Sequence, residues 1–123
     1  MNPKDVKVVY ASIEVALGEG IPTYSGGLGG YSGDTVKTAA DLGLPAAFFS
    51  LMAHKGYFTQ VIENGIQKEL PTEWSPEKEG FTLLSTTVEV KISGRDVKVQ
   101  PWEKTYSGDR GDVKLYLLDT DIE

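Results

Sequence analysis

The 123-residue chain carries 12 Lys and Arg against 18 Asp and Glu, a formal charge of −6, with 40% hydrophobic and 24% charged residues. That balance is ordinary for one globular domain or part of one, and it argues against nucleic acid or an anionic membrane as partner. Cysteine is absent, which excludes disulfides, thiolate metal sites and cysteine nucleophiles; no apolar run has the length of a signal peptide or a membrane span, so a cytoplasmic protein is expected.

Taken in order, Val6 to Ala11 is β-rich and apolar on both faces toward its end, the pattern of an inner strand covered by helices. Ser12 to Gly20 is too short for a helix before Pro22 and a glycine-rich stretch force a loop. From Leu28 the apolar positions Tyr31, Val36, Ala39, Ala40 and Leu42 approximate one helical face, and Gly43 followed by Leu44-Pro45 stops the helix. Ala46 to Met52 is a continuous apolar run suited to a buried strand, so strand, helix and strand imply a βαβ unit with a parallel pair.

Gly56 to Leu70 reads as a hairpin turned at Asn64-Gly65, and Pro71 to Gly80 as a loop with a helical turn at Ser75-Pro76-Glu77. Thr86 to Gln100 is a second hairpin. A turn at Ser93-Gly94 sets Lys91 opposite Asp96 and Glu89 opposite Lys98, with Val90 facing Val97 and Val88 facing Val99. Sliding by one residue would oppose Lys91 and Lys98, so the first register wins by a few tenths of a kcal/mol per pair. Pro101-Trp102 is expected to end this hairpin, and Val113 to Leu118 forms a last strand, apolar on both faces toward its end. The expected fold is α/β with few helices: a mixed sheet with two long β-hairpins attached to it. One helix cannot cover three apolar strands, so the chain either self-associates into a homo-oligomer or is the front part of something larger.

The candidate site is the stretch Tyr24 to Asp34, with five glycines in eight residues before a helix. Gly26 and Gly27 fall at the helix N-terminus, where unpaired N–H groups and the positive end of the helix dipole favour an anion. A Walker loop is rejected because Lys37-Thr38 follows Val36, not glycine, and the dinucleotide fingerprint fails in its third glycine and its distance from a strand. A flexible connector is the alternative reading of the same glycines.

Five ordered blocks carry a family resemblance: Ser12-Ile13-Glu14, Gly20 to Gly29, Gly33 to Pro45, Lys55 to Gln60, and Tyr116 to Asp121. In order and spacing they resemble the N-terminal region of α-glucan phosphorylases, which act on glycogen, starch or maltodextrin. The resemblance implies that residues 1–123 are a single partial domain, the N-terminal part of a Rossmann-like domain of GT-B type. It implies phosphorolysis of α-1,4-glucan to glucose 1-phosphate in the full-length enzymes, with pyridoxal 5′-phosphate as proton shuttle. Backbone N–H groups at Gly26, Gly27 and Leu28 would face the substrate phosphate and glucosyl residue, with Glu14 and Tyr24 lining the cleft.

The family's cofactor lysine lies downstream of the matching region, and Lys37 is not its equivalent. No catalytic residue, metal or covalently held cofactor is therefore expected on this chain, and α-glucan or phosphate would be its ligand only as part of a larger protein. The chain departs from the family where Gly30-Tyr31-Ser32 replaces aliphatic and small residues, Thr35 replaces a histidine, and Met52-Ala53-His54 replaces an aromatic-arginine pair. The competing function is a stand-alone binding or assembly module, oligosaccharide-binding or self-associating. For single residues the expectations are a surface or hairpin-edge position for His54, helix charge and capping for Asp34 and Asp41, a turn at Asp119 and Asp121, and packing for Trp74 and Trp102.

Overall fold

Residues 3–122 are described by a computed structural model. After a 3-10 turn at Pro3–Asp5 come β1 (Val8–Ala11), α1 (Gly27–Leu42), β2 (Ala46–Leu51), β3 (Lys55–Glu63), β4 (Ile66–Glu73), β5 (Thr82–Leu83), β6 (Val88–Ile92), β7 (Arg95–Ser107) and β8 (Asp112–Asp119). The fold is mixed α/β. Six strands form one sheet in the order β1-β2-β8-β7-β5, with β6 also paired to β7, and β3 and β4 form a separate two-stranded sheet. β1, β2 and β8 run parallel, and β8 continues antiparallel into β7.

The expected helix is present and its ends follow from its glycines. Gly26 is the extended N-cap, with φ −158°, and Gly43 closes the helix at φ +66°. There the Gly43 N–H donates to Ala40 O at 3.1 Å and the Leu44 N–H to Ala39 O at 2.9 Å, which satisfies carbonyls the last turn leaves open. Along β8 the side chains alternate, with Val113, Leu115, Leu117 and Asp119 buried on one face. Against them pack Phe48 of β2, Val36, Ala39 and Ala40 of α1, and Val15, Leu17 and Ile21 from the loop between β1 and α1. α1 and that loop thus cover one face of the parallel strands.

Both hairpin turns fall where expected: Asn64-Gly65 at φ 52° and 75°, and Ser93-Gly94 at 50° and 77°. β6 and β7 pair Val88 with Val99, Glu89 with Lys98, Val90 with Val97 and Lys91 with Asp96, the register favoured by charge. The Lys91 ammonium lies 3.4 Å from Asp96. After β4 the chain makes the expected turn, with the Glu79 N–H donating to Pro76 O at 3.1 Å.

Two expectations are corrected. β1 is not an inner strand: it is the edge of the sheet, with Val8 and Val9 53% and 65% exposed. The first hairpin does not join the main sheet, because β3 and β4 pair only with each other. The second hairpin ends before Pro101-Trp102 as expected, its last pair being Val88 with Val99, although the strand β7 itself runs on to Ser107. Pro101 is tolerated because it falls where β7 changes partner, from β6 ending at Val99 to β5 beginning at Trp102. Its carbonyl still accepts from the Leu84 N–H at 3.0 Å.

Among the described residues no helix is long and apolar enough to cross a membrane.

Candidate functional site

The chain leaves β1 at Ala11, loops through Ser12 to Ser25 and enters α1 at Gly27, so the glycine-rich stretch begins the helix beside the carboxyl end of the parallel strands. The loop is held in layers. Thr23 Oγ1 donates to Val15 O, while the Val15 N–H donates to Thr23 O at 3.1 Å. Ser32 Oγ donates to Ser12 Oγ at 2.8 Å, and Ser12 Oγ in turn to Glu14 O at 3.0 Å. The Ala16 N–H reaches across to Gly29 O at 2.8 Å.

That last contact explains two of the glycines. A Cβ on Gly33 would stand 1.8 Å from Ala16 O, and one on Gly29 would stand 2.5 Å from Tyr24 Cβ. Gly29 and Gly33 are one turn apart on the same helix face, so both are needed for the loop to lie against α1. Gly26, Gly27 and Gly30 differ: a Cβ at any of them would meet nothing within 4 Å. Nothing in the fold of the chain requires glycine at those three positions.

The helix entrance holds a carboxylate from the chain itself. Glu14 Oε1 accepts from the Gly29 N–H at 2.8 Å, and Oε2 accepts from the Ser25 N–H at 3.0 Å and Ser25 Oγ at 3.2 Å. The Ser25 N–H above all holds the Glu14 carboxyl below the usual carboxylate range, helped by the Gly29 N–H, the Ser25 hydroxyl and the Gly26 N–H, with partial burial opposing them. Gly27 and Leu28 are the first helical positions after the cap, where N–H groups have no partner within the helix. Tyr24 is 38% exposed and Leu28 47%, so both flank this entrance.

The chain is 40% identical over 122 residues to the maltodextrin phosphorylase of Thermococcus litoralis, and 35% identical over 123 residues to the glycogen phosphorylase of Mycobacterium tuberculosis. It is 34% identical over 123 residues to the glycogen phosphorylase of Aquifex aeolicus. This chain is homologous to the maltodextrin and glycogen phosphorylases. Each match takes in 94% of the chain but only 14%, 14% and 17% of those relatives, so the chain spans a small part of their length. No family model matches it.

The other residues considered from sequence lie elsewhere. His54 donates from Nε2 to Asp119 Oδ2 at 2.7 Å. Asp119 is buried and also accepts from Trp102 Nε1 at 3.0 Å and, on Oδ1, from the Asp121 N–H at 2.9 Å. The two acids therefore make the expected turn, and His54 stands at the edge of the first hairpin, just before β3, half-buried on a carboxylate. Trp74 donates to Ala53 O at 2.7 Å and meets Phe81 edge-on, so both tryptophans pack against the fold. Among the described residues no group of three or more His, Asp and Glu could hold a metal.

Asp34 and Asp41 do not serve the helix start, because the first turn of α1 contains no acid. Asp41 Oδ1 instead accepts from the Asp109 N–H at 3.1 Å and ties the β7–β8 loop to the helix. Lys37 is exposed on α1. Two features escaped sequence reasoning. The packing role of Gly29 and Gly33 was signalled by their four-residue spacing, whereas nothing local pairs His54 with Asp119, 65 residues away.

Proposed function

We propose that this chain forms one wall of the active cleft of an α-glucan phosphorylase, as the N-terminal part of a GT-B type domain, and has no turnover by itself. The observation that carries the reading is the entrance to α1. Its Gly27 and Leu28 N–H groups have no helical partner, and glycines stand at positions 26 and 27 where the fold has open space. In a homologue of the phosphorylases, open space beside unpaired amides fits close approach of a substrate oxygen.

Glu14 bears on what kind of oxygen suits that entrance. Its carboxylate is ionised at neutral pH and already offsets the positive end of the helix dipole. Residues 12–36 contain the acids Glu14, Glu19 and Asp34 and no Lys or Arg. A glucosyl hydroxyl can accept from an amide while it donates to a carboxylate, so it suits this entrance unaided. A phosphate oxygen can take the same amides, but its charge must be balanced by basic residues from the remainder of the phosphorylase. Tyr24 and Leu28 supply the flanking surface for the sugar.

Pyridoxal 5′-phosphate would supply proton transfer to the phosphate in the complete enzyme. Three of the chain's lysines are poorly placed as a Schiff-base partner. Lys37 is exposed on α1, Lys104 is bound to Glu79 O at 2.6 Å, and Lys114 to Thr105 Oγ1 at 2.8 Å. No step is assigned to this chain through the cofactor.

The test is a chimera in which residues 1–123 replace the matching stretch of the Thermococcus litoralis maltodextrin phosphorylase. With phosphate and maltoheptaose it is expected to release glucose 1-phosphate. Gly27→Val, tolerated by the open space around Gly27, should lower kcat/KM at least tenfold. A folded chimera that is inactive, or one that Gly27→Val leaves unchanged, would overturn the reading.

A further inference from the structure

β2 carries one hydroxyl into an otherwise apolar layer. Ser50 stands opposite Leu117 in the β2–β8 register and shares the strand face of Phe48, two residues back, so it lies on the α1 side of the sheet. It is only 4% exposed, and its Oγ has no hydrogen-bond partner among the described residues. A hydroxyl withdrawn from water and left unpaired destabilises a fold, and buried side-chain hydroxyls are paired as a rule.

Ser50 faces a cavity of about 10 Å³ at the junction of β2, α1 and the loop after β1, lined also by Ser12, Ser32, Val36, Phe48 and Leu115. That is room for about one water molecule and for nothing larger. No lining residue is charged, so an ion of either sign would be buried there without a counter-charge. The three serines come from three separate segments, and their hydrogen-bonding capacities are complementary. Ser32 Oγ donates to Ser12 Oγ at 2.8 Å and Ser12 Oγ donates to Glu14 O at 3.0 Å, so both have committed their protons and keep lone pairs. Ser50 still has its proton to give.

We propose that this cavity is the binding site of one resident water molecule, which accepts from Ser50 Oγ and donates to the Ser32 and Ser12 oxygens. Three hydrogen bonds are the usual complement of a buried water. The water ties β2 to α1 and to the loop at a point where no side chain of the chain spans the gap. Because Ser12 Oγ holds the Glu14 carbonyl, the bridge runs from the sheet to the residue whose carboxylate caps the helix entrance. The site stands on the hydroxyls alone and is independent of the phosphorylase reading.

The experiment combines a high-resolution crystal structure of the full chain with urea denaturation of Ser50→Ala, Ser32→Ala and the double variant. A solvent peak is expected within hydrogen-bond reach of Ser50 Oγ and of the Ser12 or Ser32 oxygen. Ser50→Ala should lower the folding equilibrium constant about fivefold, the ordinary loss for one hydrogen bond. In the Ser32→Ala background the same substitution should lose less than about twofold, because both serines act through one water. A Ser50→Ala variant as stable as wild type or more so would overturn the proposal, since deleting a dry, unpaired hydroxyl costs nothing. So would losses that multiply in full in the double variant, or a crystal structure with Ser50 bonded directly to Ser12 or Ser32 and no solvent peak between them.

Discussion

Replacing Glu14 by Gln tests how the glycine-rich entrance is held. The carboxylate accepts three hydrogen bonds, from the Gly29 N–H at 2.8 Å, the Ser25 N–H at 3.0 Å and Ser25 Oγ at 3.2 Å. Glutamine keeps one acceptor but turns an NH₂ toward a backbone donor, so at least one of these contacts becomes repulsive. Losing a helix cap of this kind costs about 0.5 to 2 kcal/mol, and the loss of charge assistance puts Glu14→Gln at roughly 1 to 2 kcal/mol at pH 7. For a domain of this size that is a fall in Tm of roughly 4 to 8 °C.

The sign of the pH dependence follows from the direction of the shift. The Glu14 carboxyl is held below its ordinary value of 4.5 in the folded chain, so its contribution is fully present above pH 4.5 and is lost as pH falls through the lower, folded value. Urea denaturation of wild type and variant should give a constant gap from pH 7 to about pH 5, closing below that as Glu14 takes up a proton and comes to resemble glutamine. Equal stability at pH 7, or a gap that persists undiminished in acid, would refute the capping argument.

The other substitutions separate packing from open space and paired from unpaired polar groups. Gly33→Ala drives a methyl to 1.8 Å from Ala16 O and should cost more than about 3 kcal/mol, whereas Gly30→Ala meets nothing and should be neutral or stabilising by up to about 1 kcal/mol; thermal melts of the pair read the contrast. Asp119→Ala leaves the buried Trp102 indole N–H and the Asp121 N–H without their acceptor, a loss of about 2 to 4 kcal/mol by urea titration, while His54→Ala removes one donor of three and should cost less than half as much. Tyr106→Phe deletes a buried hydroxyl that has no hydrogen-bond partner and whose pKa burial, with Glu79 nearby, pushes up to about 12; the melt should be unchanged or slightly higher.

What could be read from the chain was what neighbouring residues determine. Asn64-Gly65 and Ser93-Gly94 marked their turns because those pairs tolerate positive φ, and opposed charges at Lys91 and Asp96 chose between two registers. Gly43 marked the helix end for the same local reason. The glycine motif was only half legible. Its place at a helix entrance followed from the pattern beyond it, but its glycines proved to do two jobs, close packing at Gly29 and Gly33 and open space at Gly26 and Gly27. Contacts between distant segments left no trace in any short window. Glu14 filling the entrance, Asp41 holding Asp109, and His54 on Asp119 each join residues that only the folded sheet and helix bring together. Pro101 marked the end of the hairpin, but that β7 runs on past it to a new partner depends on where β5 lies.

The disagreement at β1 is of another kind. Val8 and Val9 point to opposite faces, and residues apolar on both faces are what a parallel strand needs inside a covered sheet. In this chain both are exposed, so the pattern does not describe the strand's surroundings within residues 3–122. The same holds for Phe49, Tyr116 and Leu118, whose partners on the inner face are buried while they line an open depression. Five apolar side chains on three adjacent strands line these open flanks, and on the hairpin β6–β7 Val88, Val90 and Ile92 also stand in water beside Glu89, Lys91, Asp96 and Lys98. Apolar exposure is not particular to β1 and β2, since Ile62 and Ile66 of the first hairpin are 80% and 66% exposed; what sets β1 apart is that both faces of one parallel strand carry valine and neither is covered.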